Sequence, residues 1–210
     1  MAANTPPLPR YCLVTVGATT GFEALTREVL DPDFWHFLRS DGFTALHVQC
    51  GPDVAWAAKA ASEAQHRLPK GFSVDVFDVK KNLKEEMLLC RARPGLRAQG
   101  VVISHAGTGT ILDAWRMGLS LVVVPNTGLL NDHQSEMARH VAKQGYASVA
   151  SASRLDLQEA IYKAVLLREE NPTTRWPAHS IQRTDGNALR LWDIKPVEVN
   201  REEASQMSHD

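Results

Sequence analysis

Short runs of apolar residues alternate along the chain with longer segments in which apolar residues recur every three or four positions. Six of the short runs have the length and composition of strands. They cover residues 13–16, 46–50, 72–79, 100–104, 121–124 and 146–150. Most of these runs are apolar without interruption, which is typical of strands buried on both faces of a sheet.

The segments between the strands carry helical periodicity and residues that begin helices. Asp53 is expected to cap a helix through an alanine-rich stretch, and Asn82 is expected to cap the next one. The stripe of apolar residues after residue 156 is the clearest amphipathic pattern in the chain. The predicted helical segments are 22–29, 53–67, 82–90, 108–117, 132–143 and 157–171.

Regular alternation of strands with helices predicts a single α/β, Rossmann-like domain over residues 1–170. Its six-stranded sheet should be mostly parallel and covered by helices on both faces. Residues 171–210 contain Trp176 and Trp192 but no clear periodicity, and we expect a C-terminal arm or return helix there. Because tryptophan is enriched at interfaces, this arm is a candidate for docking a partner. Packing of both tryptophans on the domain's own core is the alternative.

Composition excludes several classes of protein. The chain has 210 residues, 44% of them hydrophobic, and a net charge of −1, which argues against a nucleic-acid binder that relies on electrostatics. No apolar run approaches the roughly 20 residues that span a bilayer, and the N-terminus does not resemble a signal peptide. Cys12, Cys50 and Cys90 are odd in number and lack metal-ligand spacing, so we expect reduced thiols in a cytosolic protein.

The most informative segment joins the fourth strand to the following helix. It supplies two glycines and two threonines at the start of a helix, where free N–H groups and the helix dipole attract an anion. His105 could donate to a phosphate oxygen, and Asp113, one turn further on, could accept hydrogen bonds from ribose hydroxyls. The segment's candidate ligand-binding residues are His105, Gly107, Thr108, Gly109, Thr110 and Asp113. A plain glycine-containing connection with a threonine cap is the alternative.

Two more loops follow strands and should lie at the same edge of the sheet. The first is a small hydroxyl-rich turn of Gly17, Ala18, Thr19 and Thr20, which matches neither the dinucleotide fingerprint nor a P-loop. The second contains Asn131, Asp132, His133 and Gln134, whose mixed donors and acceptors suit sugar hydroxyls, although a polar helix cap would look similar. Convergence of the three loops predicts a single ligand site.

These loops together resemble the C-terminal, nucleotide-sugar-binding half of the GT-B glycosyltransferases of the family 28 type. Within that group the segments 14–19, 103–113 and 131–134 are similar to the cytosolic catalytic subunit of the eukaryotic, fungal-type UDP-N-acetylglucosamine transferase. That enzyme adds the second GlcNAc to GlcNAc-diphosphate-dolichol in N-glycan precursor synthesis. The resemblance extends over about residues 11–170.

The resemblance implies a role for each loop. Turn 17–20 and residues 107–110 would hold the diphosphate of UDP-GlcNAc with His105 alongside, and Asp113 stands where many relatives have Glu on the ribose. His133 and Gln134 match the positions where relatives contact the sugar hydroxyls, although many relatives have Asp in place of His133, and Asn131 is a further substrate-binding candidate. The uracil would lie against the backbone near residues 82–83 and Gly100. His133 is one candidate for the general base, and another loop residue or the partner could supply it instead.

The resemblance also implies an assembly, because a complete GT-B enzyme has two such domains. A membrane-anchored subunit would supply the acceptor domain and recruit this cytoplasmic chain to the cytosolic face of the endoplasmic reticulum. The reaction would be inverting transfer that forms a β1,4 link, with no cofactor and no metal. The segment Asp31-Pro32-Asp33 spells a metal-binding DxD, but we interpret it as structural. A noncatalytic nucleotide-sugar-binding scaffold and an epimerase-like enzyme are the alternatives.

Overall fold

The computed structural model describes residues 7–128 and 133–170. In this part of the chain six strands form one parallel sheet, in the order β3-β2-β1-β4-β5-β6. The strands are β1 Tyr11–Thr15, β2 Ala45–Gln49, β3 Ser73–Phe77, β4 Val101–His105, β5 Ser120–Val124 and β6 Ser148–Val149. All six predicted strands are confirmed, as is the parallel arrangement.

Seven α-helices of the described residues cover the two faces of the sheet. They are α1 Glu23–Leu30, α2 Pro32–Ser40, α3 Val54–Glu63, α4 Lys84–Cys90, α5 Thr108–Arg116, α6 His133–Lys143 and α7 Arg154–Glu170. One apolar cluster joins α1, α2, α3 and α7 to one face of the sheet, and a second joins α4, α5 and α6 to the other. The two clusters use alternate residues of the central strands, as the pleat requires.

The predicted DxD segment has a structural role. Asp31 accepts a hydrogen bond from the Asp33 amide and caps α2, whose first residue is Pro32. Asp33 Oδ2 lies 2.6 Å from Arg154 Nη1, which ties α2 to α7. The sequence pattern did not predict α2, because proline and aspartate are found at the ends of helices as well as at their beginnings.

Two predicted details of the helix starts differ from the structure. Asp53 does not cap α3 through its side chain. Its carboxylate instead packs against Gly21, where a Cβ atom would come within 2.2 Å of Asp53 Oδ2. Asn82 does accept a hydrogen bond from the Lys84 amide at 3.2 Å, although the cap residue itself is Leu83.

The three cysteines are free and buried. Among the helices in the described ranges 7–128 and 133–170, none combines the length and apolar character needed to cross a membrane. The predicted arm, including Trp176 and Trp192, lies outside the described residues, and its role stays a prediction.

A half-buried ionic cluster joins the strand β2 to the helix α4. His47 Nδ1 lies 2.9 Å from Glu86 Oε2, and Lys80 contacts the other oxygen of the same carboxylate. Burial raises the pKa of Glu86, but hydrogen bonds from Lys80 and His47 outweigh it and hold the pKa below its ordinary value of 4.5. The carboxylate form of Glu86 therefore stabilises the fold.

We expect Glu86→Gln to lower the free energy of unfolding at pH 7 by about 1–2 kcal/mol, because the charged hydrogen bonds are lost. Since the folded-state pKa is lowered, the stabilisation is present above the ordinary value of 4.5 and disappears as the pH falls through the folded-state pKa. Urea unfolding of wild type and variant between pH 7 and about pH 3 measures this difference. Glu85→Gln, at an exposed position, is the control. If the difference in unfolding free energy between wild type and Glu86→Gln were the same at pH 3 as at pH 7, the role of the carboxylate would be contradicted.

Candidate functional site

The candidate site lies where the strand order of the sheet reverses. Strands β1 and β4 are neighbours in the centre, and the chain leaves their carboxyl ends toward opposite faces of the sheet. Such a switch point leaves a crevice between the two following loops, where ligands of open α/β sheets bind. Here the loops are the turn 17–20 and the segment 106–108 that leads into α5.

His105 is the last residue of β4 and lies between the two loops. Its Nδ1 is 3.3 Å from the Thr15 carbonyl oxygen, so Nδ1 carries the proton and donates. A Cβ on Gly17 would lie 2.9 Å from His105 Nε2, and one on Gly107 would lie 2.5 Å from the same atom. Only glycine leaves room for the imidazole at both positions, and Gly17 also has a φ of +90°.

The pKa of His105 is lowered from its ordinary value of 6.5, chiefly because burial disfavours the charged imidazolium; the bond to Thr15 opposes this only in part. At neutral pH the ring is therefore uncharged, with an Nε2 that accepts rather than donates. The expectation that His105 donates to a phosphate oxygen thus requires that the ring first gain a proton.

Both loops that flank His105 carry backbone N–H groups without an internal acceptor. In the described part of the chain, no acceptor engages the N–H groups of Ala18, Thr19 and Thr20. The first turn of α5 adds the N–H groups of residues 108–110, and its N-cap, Gly107, provides no side-chain acceptor. These donors, with the positive end of the α5 dipole, form a setting for an anion such as a diphosphate.

A small cavity beside the turn 17–20 and His105 has a volume of about 140 Å³. It brings together predicted residues from all three sequence loops, namely the turn 17–20, His105 and Gln134. Its lining residues are Val16, Gly17, Ala18, Thr19, Thr20, His105, Asn126 and Gln134. A larger cleft of about 640 Å³ adjoins it through Asn126 and extends between the loops that follow β1, β5 and β6.

Gln134 is held in the site by a backbone contact. Its Oε1 accepts a hydrogen bond from the Asn126 amide at 2.9 Å, and Asn126 Nδ2 reaches the Gly21 carbonyl oxygen at 3.4 Å. Asn126 therefore ties the loop after β5 to the loop after β1. The sequence analysis identified this loop but not Asn126 itself. The feature that could have identified Asn126 is its position directly after the proline that ends the predicted strand 121–124.

The predicted residues 107–110 lie at the start of α5 and do not line the small cavity. Three further predicted residues are not placed in it either. The side chain of Asp113 is 40% exposed, and Asp113 Oδ1 lies 3.8 Å from Arg116 Nη1. His133 is exposed, with its Nδ1 3.8 Å from Glu136 Oε2, so the structure does not hold its imidazole toward the cavity. Asn131 lies outside the described residues, and the roles of all three stay predictions.

The predicted position of Gly100 near the uracil is wrong. Gly100 precedes β4, so it lies at the amino edge of the sheet, opposite the edge that carries the loops. A Cβ there would come within 2.1 Å of the Tyr11 carbonyl oxygen and 3.1 Å of the Cys90 Cα. Gly100 is thus required for the close packing of β1, β4 and α4.

Gln49 was also missed by sequence reasoning. It ends β2, is only 2% exposed, and has both ends of its side-chain amide bound to Gly17. The feature that could have identified Gln49 is a polar residue at the carboxyl end of a buried strand, because the three candidate binding loops begin at that edge of the sheet. In the described parts of the chain, no group of three His, Cys, Asp or Glu side chains could hold a metal ion.

Comparison with known proteins identifies a family. Residues 11–185 match the glycosyltransferase family 28 C-terminal domain. A Cryptococcus neoformans protein named UDP-N-acetylglucosamine transferase subunit ALG13 is 36% identical over 174 residues, which are 73% of this chain and 82% of the relative. The Candida glabrata protein of that name is 30% identical over 70% of this chain and 83% of the relative. The mouse protein of that name is 35% identical, but the match covers 10% of its length.

Solved structures agree on the fold. A crystal structure of Acinetobacter baumannii MurG has a TM-score of 0.53 at 19% identity, and the match covers 79% of this chain and 46% of MurG. A solution NMR structure of ALG13 has a TM-score of 0.52 at 24% identity, over 81% of this chain and 89% of that one. The predicted fold, one half of a GT-B glycosyltransferase, is confirmed.

We expect Gly107→Ala to lower the free energy of unfolding by about 1–3 kcal/mol, because the new methyl group displaces the His105 ring. Gly109→Ala is the matched control, since a Cβ there meets nothing within 4 Å. Alanine in that helical position should raise stability by up to about 1 kcal/mol. Urea unfolding without ligand measures both variants, and equal effects would rule out the steric role of Gly107.

The lowered pKa of His105 predicts a loss of stability in mild acid. Near pH 6.5 the His105 ring takes up a proton in the unfolded chain but stays neutral in the folded chain. The free energy of unfolding should therefore fall as the pH drops below about 6.5, and it should level off once the pH is below the folded-state pKa. His105→Asn should reduce this slope. Ring titration by NMR with unfolding at pH 7.5 and 5.5 tests both statements, and a His105 titration at or above its ordinary pKa would overturn them.

Proposed function

Because the chain belongs to glycosyltransferase family 28, whose C-terminal domain spans most of it, we propose that it is the donor-binding, catalytic subunit of a heteromeric UDP-N-acetylglucosamine transferase. The observation that carries the proposal is that two loops with unbonded N–H groups flank the His105 ring at the switch point. The names of the relatives supply the donor, UDP-GlcNAc.

The diphosphate of the donor lies at the small cavity beside the turn 17–20 and extends past His105 to the start of α5. The N–H groups of Ala18, Thr19 and Thr20 bind one side of the diphosphate, and those of residues 108–110 bind the other. Its negative charge also raises the pKa of His105, so that the ring can take up a proton and donate from Nε2. As the glycosidic bond breaks, these same donors stabilise the charge that develops on UDP.

The remaining parts of the donor extend from the small cavity. Asp113 binds the ribose hydroxyls after leaving Arg116, its partner at 3.8 Å. Gln134 binds the GlcNAc hydroxyls through Nε2, since its Oε1 already holds the Asn126 amide. Asn131 completes the sugar subsite. No metal or cofactor takes part, and the uracil lies against the backbone near residues 82–83.

The reaction is inverting transfer of GlcNAc to GlcNAc-diphosphate-dolichol with formation of a β1,4 link, the second step of N-glycan precursor assembly. The relatives are named as subunits, which supports a partner chain. We propose that this partner is membrane-anchored, supplies the acceptor domain and holds the chain at the cytosolic face of the endoplasmic reticulum. Residues 171–210 are the docking candidate, and His133 or a partner residue is the base. The alternatives are a noncatalytic scaffold and an epimerase-like enzyme.

Calorimetric titration of the purified chain with UDP-GlcNAc, UDP-glucose and GDP-mannose tests the donor assignment. We expect measurable binding of UDP-GlcNAc, weaker binding of UDP-glucose and none of GDP-mannose, with transfer to a lipid-linked acceptor only after the partner is added. Asp113→Ala should weaken binding of UDP itself by about tenfold, whereas Gln134→Ala should spare UDP and weaken only UDP-GlcNAc.

Exposed Arg116→Ala, which removes the partner of Asp113 without touching the cavity, is the control for Asp113→Ala. Equal or absent heats for all three sugar nucleotides would refute the donor assignment. Equal loss of UDP affinity in the Asp113 and Gln134 variants would refute the division between ribose and sugar contacts. Binding without transfer in the presence of the partner would favour the noncatalytic scaffold.

A further inference from the structure

The side chain of Gln49 is bound on three sides at the base of the turn 17–20. Gln49 Oε1 accepts from Thr15 Oγ1 at 2.7 Å and from the Gly17 amide at 3.3 Å. Gln49 Nε2 donates to the Gly17 carbonyl oxygen at 2.8 Å. These contacts fix which end of the amide is oxygen, because the reversed amide would place NH₂ against the Gly17 N–H.

The bond to the Gly17 carbonyl determines the direction of the next N–H group. The carbonyl of Gly17 and the N–H of Ala18 belong to one rigid trans peptide, in which C=O and N–H point in opposite directions. Because Gln49 holds the oxygen on the buried side, the Ala18 N–H points away from Gln49. A Cβ on Gly51 would lie 2.7 Å from the same oxygen, so Gly51 leaves the space that this carbonyl occupies.

Glycine at position 17 makes this constraint necessary. With no Cβ, Gly17 can adopt either orientation of its following peptide at little steric cost. If that peptide rotated by half a turn, the Gly17 carbonyl oxygen would take the place of the Ala18 N–H. The loop would then offer a hydrogen-bond acceptor at the position of the present donor. An anion would be repelled from that form of the loop.

We infer that Gln49 is a positioning residue for the diphosphate site. It holds the Gly17–Ala18 peptide in the orientation that directs the Ala18 N–H toward the bound anion. The inference rests on the proposed function, since it explains how one of the backbone donors to the diphosphate is oriented. Gln49 does not line the cavity and acts only through Gly17.

Titration with UDP, uridine and inorganic pyrophosphate tests the inference on the purified chain. For Gln49→Leu we expect affinity for UDP and pyrophosphate to fall by about tenfold or more, while affinity for uridine is unchanged. A general loss of structure would instead lower the affinities for all three probes together. Exposed Gln65→Leu is the matched control and should bind all three as wild type does.

Gln49→Glu supplies a rescue that a merely structural role would not show. A protonated Glu has the shape of Gln and can donate to the Gly17 oxygen, whereas the carboxylate cannot. Because residue 49 is buried, the pKa of the introduced carboxyl lies above the ordinary Glu value of about 4.3. UDP affinity relative to wild type should therefore be low at pH 8 and recover toward wild type as the pH falls to about 5. Taking the ratio to wild type at each pH removes the effects of pH on UDP itself and on the other ionisable side chains beside this loop, His105 and Asp53.

Wild type alone provides a measurement that does not depend on a variant's folding. When pyrophosphate is added, the Ala18 amide proton should shift downfield by NMR, while the Gly17 amide proton, bound to Gln49, should not. If wild type binds UDP but Gln49→Leu binds it equally well, or if the Gly17 proton shifts in place of that of Ala18, the positioning role is overturned. If wild type binds neither UDP nor pyrophosphate, it is the proposed function that fails.

Discussion

The parallel pairing of β1 with β4 is the constraint on which the site depends. Thr15 lies opposite Ser104 in this register, so the chain leaves both strands at the same height and toward opposite faces. The Thr15 carbonyl thereby comes within reach of the His105 ring, and the two glycine-containing loops face each other across it. Residues ninety positions apart share one crevice only while this pairing holds.

Among the described residues that line the small cavity, none has a lysine or arginine side chain, so the candidate anion donors are backbone N–H groups. Oriented N–H groups and the α5 dipole attract an anion without raising the charge of the whole protein, which agrees with a net charge of −1. The side chains that matter most are then those that orient the backbone. Gln49 and Gln134 both hold main-chain groups with their side-chain amides, and each comes from an element beside the central pair.

Much of this architecture could be predicted from local pattern. The six strands follow from short apolar runs, and α5 and α6 follow from helical spacing and the glycines after them. The helix α2 was missed because its proline and capping aspartate are equally compatible with the end of α1. Gly100 was assigned to the uracil from the resemblance, although it begins the predicted strand 100–104 and so belongs to the amino edge. Its packing against Tyr11 and Cys90 shows its structural role.

The sequence by itself determined the α/β class, the parallel sheet and the family of the chain, and it predicted an anion site in the loops after β1 and β4. These follow from the order of neighbouring residues, since periodicity, glycines and helix starts act over a few positions. Only the tertiary structure decided that the His105 ring fills the space beside two glycines, and that Gln49 reaches across from β2 to hold Gly17. Those contacts depend on strand order and register, which join distant parts of the chain and leave little trace in the local sequence.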